Sequence, residues 1–362
     1  MPVIHAEPLR RLVGDIFTAA GCAAEEGERI GRYLVEANLT GHDSHGVVRV
    51  PRYLVWLEAG SLKAGQTVSV LTDTDAMAVV DGHNGFGQTI GPQAVDIGID
   101  KARAHGVAIV ALRNSGHLGR IGDWAERALD AGLVSIHFVN VGGSLLVAPF
   151  GGIDRRMSTN PVTIGVPGDP PLLLDFATAL VAEGKVLVAS KGGKPLPPGS
   201  LIDADGSLST DPKVLYGDGD PSISLYNKGG AGSIRAMGEH KGSGLSFMCE
   251  MLAGALTGSG CAGPDPQPVH NGMLSIYMVP ETFDTGGGFA DWVVRYVDFY
   301  KSATPAEVGG EILVPGEPEA RRRAARLADG IELPEDVWTG IAAAAHEQGL
   351  NEARISGAIE AT

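Results

Sequence analysis

Apolar residues recur at three-to-four spacing through EPLRRLVGDIFTAAG and EEGERIGRYLVEANL, which predicts two helices separated by a glycine break within residues 6–39. RVPRYLVWLEAG continues the helical texture. From about residue 66 the pattern shortens to β-branched runs bounded by glycine or proline. TVSVLTDTDAMAVVDG, GVAIVALRN, GLVSIHFVN, PVTIGVP and PLLLDFA read as strands. GPQAVDIGIDKARAHG and IGDWAERALDAG read as helices between them, and the nearly all-apolar GSGLSFMCEMLAGALTG reads as a buried helix. MLSIYMVPETF supplies a late strand, after which ARRRAARLADG and PEDVWTGIAAAAHEQG return to helix. The expected architecture is α/β: a helical unit at 1–70, a strand-rich region at 71–300 and a helical segment at 301–362 that packs back on the first. Residues 217–235 read as a long polar loop.

Composition narrows the function classes. The 362 residues hold 28 basic and 43 acidic side chains, a net charge of −15 that argues against nucleic acid or an anionic membrane as partner. A small anionic substrate stays compatible, because a local basic pocket opposes the global sign. Three well-separated cysteines, Cys22, Cys249 and Cys261, form no CxxC pair and suggest a reducing compartment, so a cytoplasmic location is expected. No apolar run approaches membrane-spanning length.

The densest chemistry lies in TGHDSHGVVR, residues 40–49. His42, Asp43 and His45 offer ligands for a metal-dependent lyase or hydrolase, but the spacing lacks HExxH and a second ligand cluster. A helix-ending loop with capping side chains is the plain alternative. Arg49, four residues beyond His45, favours another reading: a general acid/base beside a bidentate carboxylate clamp suits 2-hydroxy or 2-oxo acid chemistry.

Neither GHNGFG nor GHLGRIG matches GxGxxG, so no Rossmann fingerprint is present. NSGHLGRIGDWAERAL nevertheless runs from a strand through a glycine turn into a helix, a geometry that binds anions. In GEHKGSGL, Lys241 opposes the helix dipole unless it meets an anion. Asp175 ends a strand where a carboxylate accepts from ribose hydroxyls or caps the next helix. Lys185 in AEGKV reads by default as a surface lysine.

ANLTGHDSHG, GRIGDWAE, GLVSIHFVNV, PLLLDFATA, EHKG and ILVPGEPEARRR together resemble the malate/L-lactate dehydrogenase family of type 2, in order over roughly residues 8–355. The resemblance implies a three-part fold on a non-Rossmann mixed sheet, a homodimer, and NAD or NADP bound in extended form, with NAD slightly preferred. It implies hydride transfer between the nicotinamide and C2 of a 2-hydroxy acid of malate, lactate, sulfolactate or aryl-lactate type. Ser44 becomes a proton-relay serine, His45 the acid/base, and Arg49 and Thr159 substrate contacts. His117 lines the cofactor in some members and takes the proton in others. His117, Leu118, Gly119, Arg120 and Ile121, then Asp175, Phe176 and Ala177, then His240 and Lys241, and finally Pro315, Gly316 and Glu317 fall on cofactor motifs. Lys185 joins the catalytic set. Because imine-reducing members carry aspartate there, it favours hydroxy acids over Δ1-piperideine- or pyrroline-2-carboxylate. STNP, with Ser158, departs from the usual GTNP. Arg113 and Arg120 are candidate contacts for a 2′-phosphate. A non-catalytic nucleotide-binding module is the remaining alternative.

Overall fold

All six predicted strand runs join one seven-stranded sheet, the first of them as two strands, in the computed structural model, which describes residues 1–190, 194–218, 229–265 and 267–360. They are β1 (Ser69–Asp73), β2 (Met77–Asp81), β3 (Val107–Ser115), β4 (Val134–Gly142), β5 (Pro161–Val166), β6 (Leu172–Ala177) and β7 (His270–Met278). The order across the sheet is β1-β2-β3-β7-β4-β5-β6. Only β2 and β3 are parallel; every other neighbouring pair is antiparallel. The sheet is therefore mixed and not Rossmann-like. Gly272 in β7 is required by packing, since a Cβ there would lie 1.9 Å from the Ala253 carbonyl oxygen.

The longer helices are α1 (Ala6–Ala19), α2 (Ala24–Leu39), α3 (Val50–Glu58), α4 (Gly87–His105), α5 (Gly122–Asp130), α6 (Glu183–Ser190), α7 (His240–Cys249), α8 (Phe289–Lys301), α9 (Glu317–Asp329), α10 (Glu335–Glu347) and α11 (Glu352–Glu360). Buried apolar side chains form three clusters. One joins α1, α2 and α3 to Trp338, Ile341 and Ala345 of α10, so the C-terminal segment closes over the N-terminal helices. A second packs α4 and α5 against the sheet around Trp124 and Tyr277. The third lies within residues 146–236 and includes Leu201, Leu215 and Ile234.

Two helices differ from expectation. α7 continues into a π-helical stretch at Glu250–Ala255 and is only partly covered, because Phe247, Met248 and Leu256 are exposed. α8 escaped the sequence reading, and none of its residues is buried; Trp292 is 69% and Phe299 73% exposed. Of the loop at 217–235, residues 219–228 lie outside the described residues, while Ser233–Ile234 pairs with Leu201–Ile202 as a short strand. Among the described residues no helix is long and apolar enough to cross a membrane.

Candidate active site

HDSHGVVR folds as two successive 3-10 turns, Asp43–His45 and Val47–Arg49, that lead directly into α3. Asn38, near the end of α2, pins both. Its Oδ1 accepts from the Val47 N–H at 2.8 Å and its Nδ2 donates to Asp43 at 2.7 Å. Gly46 must be glycine, because a Cβ there would sit 2.2 Å from Asn38 Oδ1. Asp43 also pairs with Arg326 of α9 at 2.7 Å. His42 faces Glu319 at 3.9 Å, whereas His45 stacks on His117. Among the described residues no group of three His, Cys, Asp or Glu converges as a metal set. Asp43 is thus engaged in structure, and the His42, Asp43 and His45 triplet does not close on one point.

The imidazole of His45 stacks on that of His117, with ring centroids 5.6 Å apart and planes 6° from parallel. Behind His45, Ser44 Oγ is 3.1 Å from Nδ1. Behind His117, Tyr53 Oη is 2.6 Å from Nδ1 and also accepts from Gln88 Nε2 at 3.2 Å. Arg49 Nε donates to the Ser44 carbonyl at 2.6 Å, which ties the guanidinium to the turn carrying His45. Arg49 Nη2 and Arg52 Nη1 approach the same oxygen of Glu183, at 3.9 and 3.7 Å. Glu183 also accepts from the Tyr216 hydroxyl at 2.9 Å.

Both imidazoles keep part of their surface accessible but are otherwise enclosed by protein. Burial, then the neighbouring Arg49 and Arg52 charges, pushes His117 down to about 3. Burial, then His117 and Arg49, holds His45 well below the ordinary histidine range. Burial also lowers His42, with Asp175 partly opposing it. All three are neutral at neutral pH in the free protein.

The segments expected at the cofactor meet along one edge strand. Pro315 O accepts from the N–H of Leu173, at the start of β6. Gly316, at φ +98, packs on Leu173. Asp175 accepts the Gly122 N–H at 2.9 Å and Thr163 Oγ1–H at 2.8 Å, so it caps α5 across space and not the helix that follows it in sequence. The α5 N-terminus is therefore already met by a carboxylate. Thr178, next to Ala177, receives the Met237 N–H two residues before Glu239, where α7 begins. Phe176 and Ala177 are half-buried, His240 and Lys241 are exposed, and Lys241 has no carboxylate at ion-pair distance among the described residues. His117, Leu118, Gly119 and Ile121 form the turn between β3 and α5, with Leu118 N–H held by Asn271 at 2.8 Å.

Arg120 is fully buried and bonds Asp123 at 2.9 Å and Glu126 at 2.8 Å, with Asp175 3.8 Å from its Nε. Arg113 pairs with Asp81 at 2.9 Å. Both guanidiniums suggested for a 2′-phosphate are thus matched by carboxylates. Glu317 accepts from the Val314 N–H at 2.9 Å and pairs with Lys301. Thr159 presents its carbonyl to both N–H and Oγ1–H of Thr178. Lys185 is exposed, yet close enough for its charge to lower His42.

Sequence reasoning missed Arg52, Tyr53, Gln88, Glu183 and Tyr216. Arg52 and Tyr53 lie one helical turn beyond Arg49, so the helix face carried a signal for them. Glu183 and Gln88 are brought in by tertiary contact alone.

A family profile described as malate/L-lactate dehydrogenase matches residues 4–342. The chain is 38% identical over 360 residues to hydroxycarboxylate dehydrogenase B of Escherichia coli, covering 96% of this chain and 94% of that one. A structure from E. coli, provisionally described as a malate/lactate dehydrogenase, superposes with a TM-score of 0.91 at 36% identity, covering 100% of this chain and 99% of the other. Sulfolactate dehydrogenase from Methanocaldococcus jannaschii gives 0.82 at 32%, covering 98% and 99%.

Proposed function

The chain belongs to the malate/L-lactate dehydrogenase family, and from that premise we propose that it interconverts a 2-hydroxy acid and its 2-oxo acid with a nicotinamide cofactor. The observation that carries this reading is the meeting of the His45–His117 pair with Arg49 at one place. When bound, the nicotinamide supplies or accepts the hydride at C2. Arg49 pairs with the substrate carboxylate through two N–H groups, while its Nε stays on the Ser44 carbonyl. His45 takes the hydroxyl proton during oxidation and returns it during reduction, with Ser44 as its hydrogen-bonding partner. His117, with Tyr53 on its Nδ1, donates from Nε2 to the substrate oxygen.

The residues present fit an extended dinucleotide. β6 spans roughly 20 Å at about 3.3 Å per residue. Pro315–Gly316, Asp175 and the start of α7 are spaced along it, with the exposed Lys241 near one end for a phosphate. The two buried or paired arginines support NAD over NADP. Exposed Trp292, Tyr296 and Phe299 on α8 support a homodimer. Exposed Lys185, beside His42, supports an anionic hydroxy acid over a cyclic imine.

The test is oxidation of NADH and NADPH against a panel of 2-oxo acids and cyclic imines, before and after exhaustive chelation. Reduction of a 2-oxo acid, undiminished by chelation and faster with NADH, is expected. Loss of activity restored by zinc or manganese would sink the reading, as would cofactor binding without turnover of any compound.

A further inference from the structure

Asn160, between Thr159 and Pro161, is fully buried and sits at φ +28, a backbone region sparsely populated by residues other than glycine. Its side-chain amide is saturated. Oδ1 accepts from the Val141 N–H at 3.1 Å, while Nδ2 donates to Ser246 Oγ at 3.1 Å and to Glu250 Oε1 at 2.8 Å. Glu250 is buried and opens the π-helical stretch that continues α7. Its Oε2 accepts from Asn140 Nδ2 at 3.2 Å and from the Ala262 N–H at 3.0 Å. The Asn140 carbonyl, on β4, accepts from Asn271 Nδ2 of β7 at 2.9 Å, and Asn271 Oδ1 holds the Leu118 N–H at 2.8 Å. One buried polar chain, Leu118–Asn271–Asn140–Glu250–Asn160, therefore joins the turn after His117 to the turn carrying Thr159.

We infer that Glu250 is a positioning residue for hydride transfer, fixing the His117 and Thr159 turns relative to one another. The inference rests on the hydride-transfer reading above, with His117 on the substrate oxygen and Thr159 as a substrate contact. Three features carry it. A buried carboxylate is costly unless donors meet it, and the three amide N–H groups that converge on Glu250 lock one another into a single arrangement. Neither asparagine escapes by turning its amide over. Asn160 would lose the Val141 N–H, and Asn140 the Gly272 N–H that its Oδ1 accepts at 3.0 Å. The packing is also shaped around the chain, since a Cβ on Gly254 would lie 2.7 Å from Asn140 Nδ2 and one on Gly272 2.9 Å from Asn140 Oδ1. A strained φ persists only where its surroundings over-determine it, and at Asn160 the carboxylate of Glu250 is the shortest of those contacts.

The experiment compares wild type, Glu250→Gln and Thr257→Ala. The last removes a buried hydroxyl from the Ala253 carbonyl in the same helical stretch and leaves the carboxylate untouched. Glutamine offers one acceptor oxygen where three donors converge, so its NH2 group opposes an N–H. With the 2-oxo acid reduced fastest, single-turnover oxidation of NADH should slow about 10- to 100-fold in Glu250→Gln, while NADH Kd and substrate KM stay within about twofold of wild type. Thr257→Ala should lower the Tm and leave transfer unchanged. Amide hydrogen exchange supplies a readout free of turnover: Leu118 and Val141 should both exchange faster in Glu250→Gln, and neither in Thr257→Ala. Unchanged transfer in Glu250→Gln, equal slowing in both variants, or faster exchange at Val141 without Leu118 would overturn the inference. If wild type reduces no 2-oxo acid with either cofactor, the hydride-transfer reading itself fails, and the exchange pattern then judges on its own whether Glu250 joins the two turns. Should Glu250→Gln not fold, Asn160→Gly reads the same link from its other end, because glycine takes φ +28 without strain. Transfer should slow there to a similar extent, and unchanged transfer counts against Glu250.

Discussion

The rings of His45 and His117 lie face to face, 5.6 Å between centroids and 6° from parallel, each with a hydroxyl behind its Nδ1. Two imidazoles at this distance disfavour simultaneous protonation, and each is already held low by burial. One proton at a time is the natural capacity of the pair. What separates the rings is the partner: Ser44 is adjacent in sequence to His45, whereas Tyr53 reaches His117 from α3.

The pH dependence of the two directions should differ. Because kcat/KM reports the free enzyme, oxidation meets an already neutral His45 and should stay flat from about pH 6 to about pH 9. Reduction needs the protonated form, so its kcat/KM should fall about tenfold per pH unit over the same range. Initial rates in both directions test this. An acid limb in oxidation with an inflection in the ordinary histidine range would remove His45 from the role.

Arg49→Lys should cost on the order of 2–4 kcal/mol in kcat/KM for a 2-oxo acid, since lysine reproduces neither the two parallel contacts nor the Nε bond to Ser44. Cofactor affinity, read by NADH fluorescence, should hold. Collapse of NADH binding with an unchanged substrate KM would move Arg49 to the cofactor side.

Gly184→Ala probes how closely α6 approaches the turn carrying Ser44. The new Cβ would lie 2.4 Å from Ser44 Cβ and 2.9 Å from its Cα. Overpacking of this kind costs about 1–3 kcal/mol, and relief by moving Ser44 takes its hydroxyl off His45. Turnover should drop while the Tm falls by only a few degrees. Unchanged hydride transfer would show that α6 yields instead and that Ser44 needs no such support.

Much of this was legible in the chain because the signals were local. The strand runs, the helix periodicity and HDSHGVVR each declare themselves within about ten residues. What stayed hidden depends on distance in sequence. Asp175 reads either as a ribose contact or as a cap for the helix after it, yet it caps α5, whose first residue lies 53 positions earlier. Arg120 reads as a free phosphate contact until the fold surrounds it with Asp123, Glu126 and Asp175. α8 went unread although its residues alternate apolar and charged at helical spacing, and the fold leaves it without a covering layer. Arg52 was overlooked beside Arg49, where the i, i+3 rule applied directly.

Acid stability follows from a group outside the site. His137 is fully buried between Ser275 at 2.8 Å and Ser135 at 3.1 Å, and burial pushes it down to about 3. The unfolded chain binds a proton near pH 6.5 while the folded one does not. This contribution is therefore complete above about pH 6.5 and is lost as pH falls toward about 3, at up to roughly 1.4 kcal/mol per pH unit. Urea unfolding of wild type and His137→Gln at pH 7, 6 and 5 should give a shallower pH slope for the variant. Identical slopes would mean that His137 is protonated in the folded state.

The remaining question is which ring carries the proton. If it is His45, then His45→Ala should slow transfer by roughly 10²–10⁴-fold and leave the nicotinamide site formed. His117 stands in the turn between β3 and α5, whose next residue, Leu118, is fixed by Asn271. His117→Ala should accordingly raise the cofactor Kd as well as slow turnover. Tyr53 sharpens the contrast, because its hydroxyl also accepts from Gln88 and so has its own proton available for His117 Nδ1. With Nδ1 accepting, neutral His117 carries its hydrogen on Nε2 and meets the substrate oxygen as a donor, not as a base. Tyr53→Phe then removes the bond that sets this tautomer and should slow hydride transfer without abolishing the pH dependence assigned to His45. NADH fluorescence titration and single-turnover transfer across pH, in all three variants, decide the matter. Near-normal binding with slow, pH-flattened transfer in His45→Ala supports His45 as the proton carrier. The same signature in His117→Ala, with His45→Ala weakening the cofactor instead, transfers the role to His117.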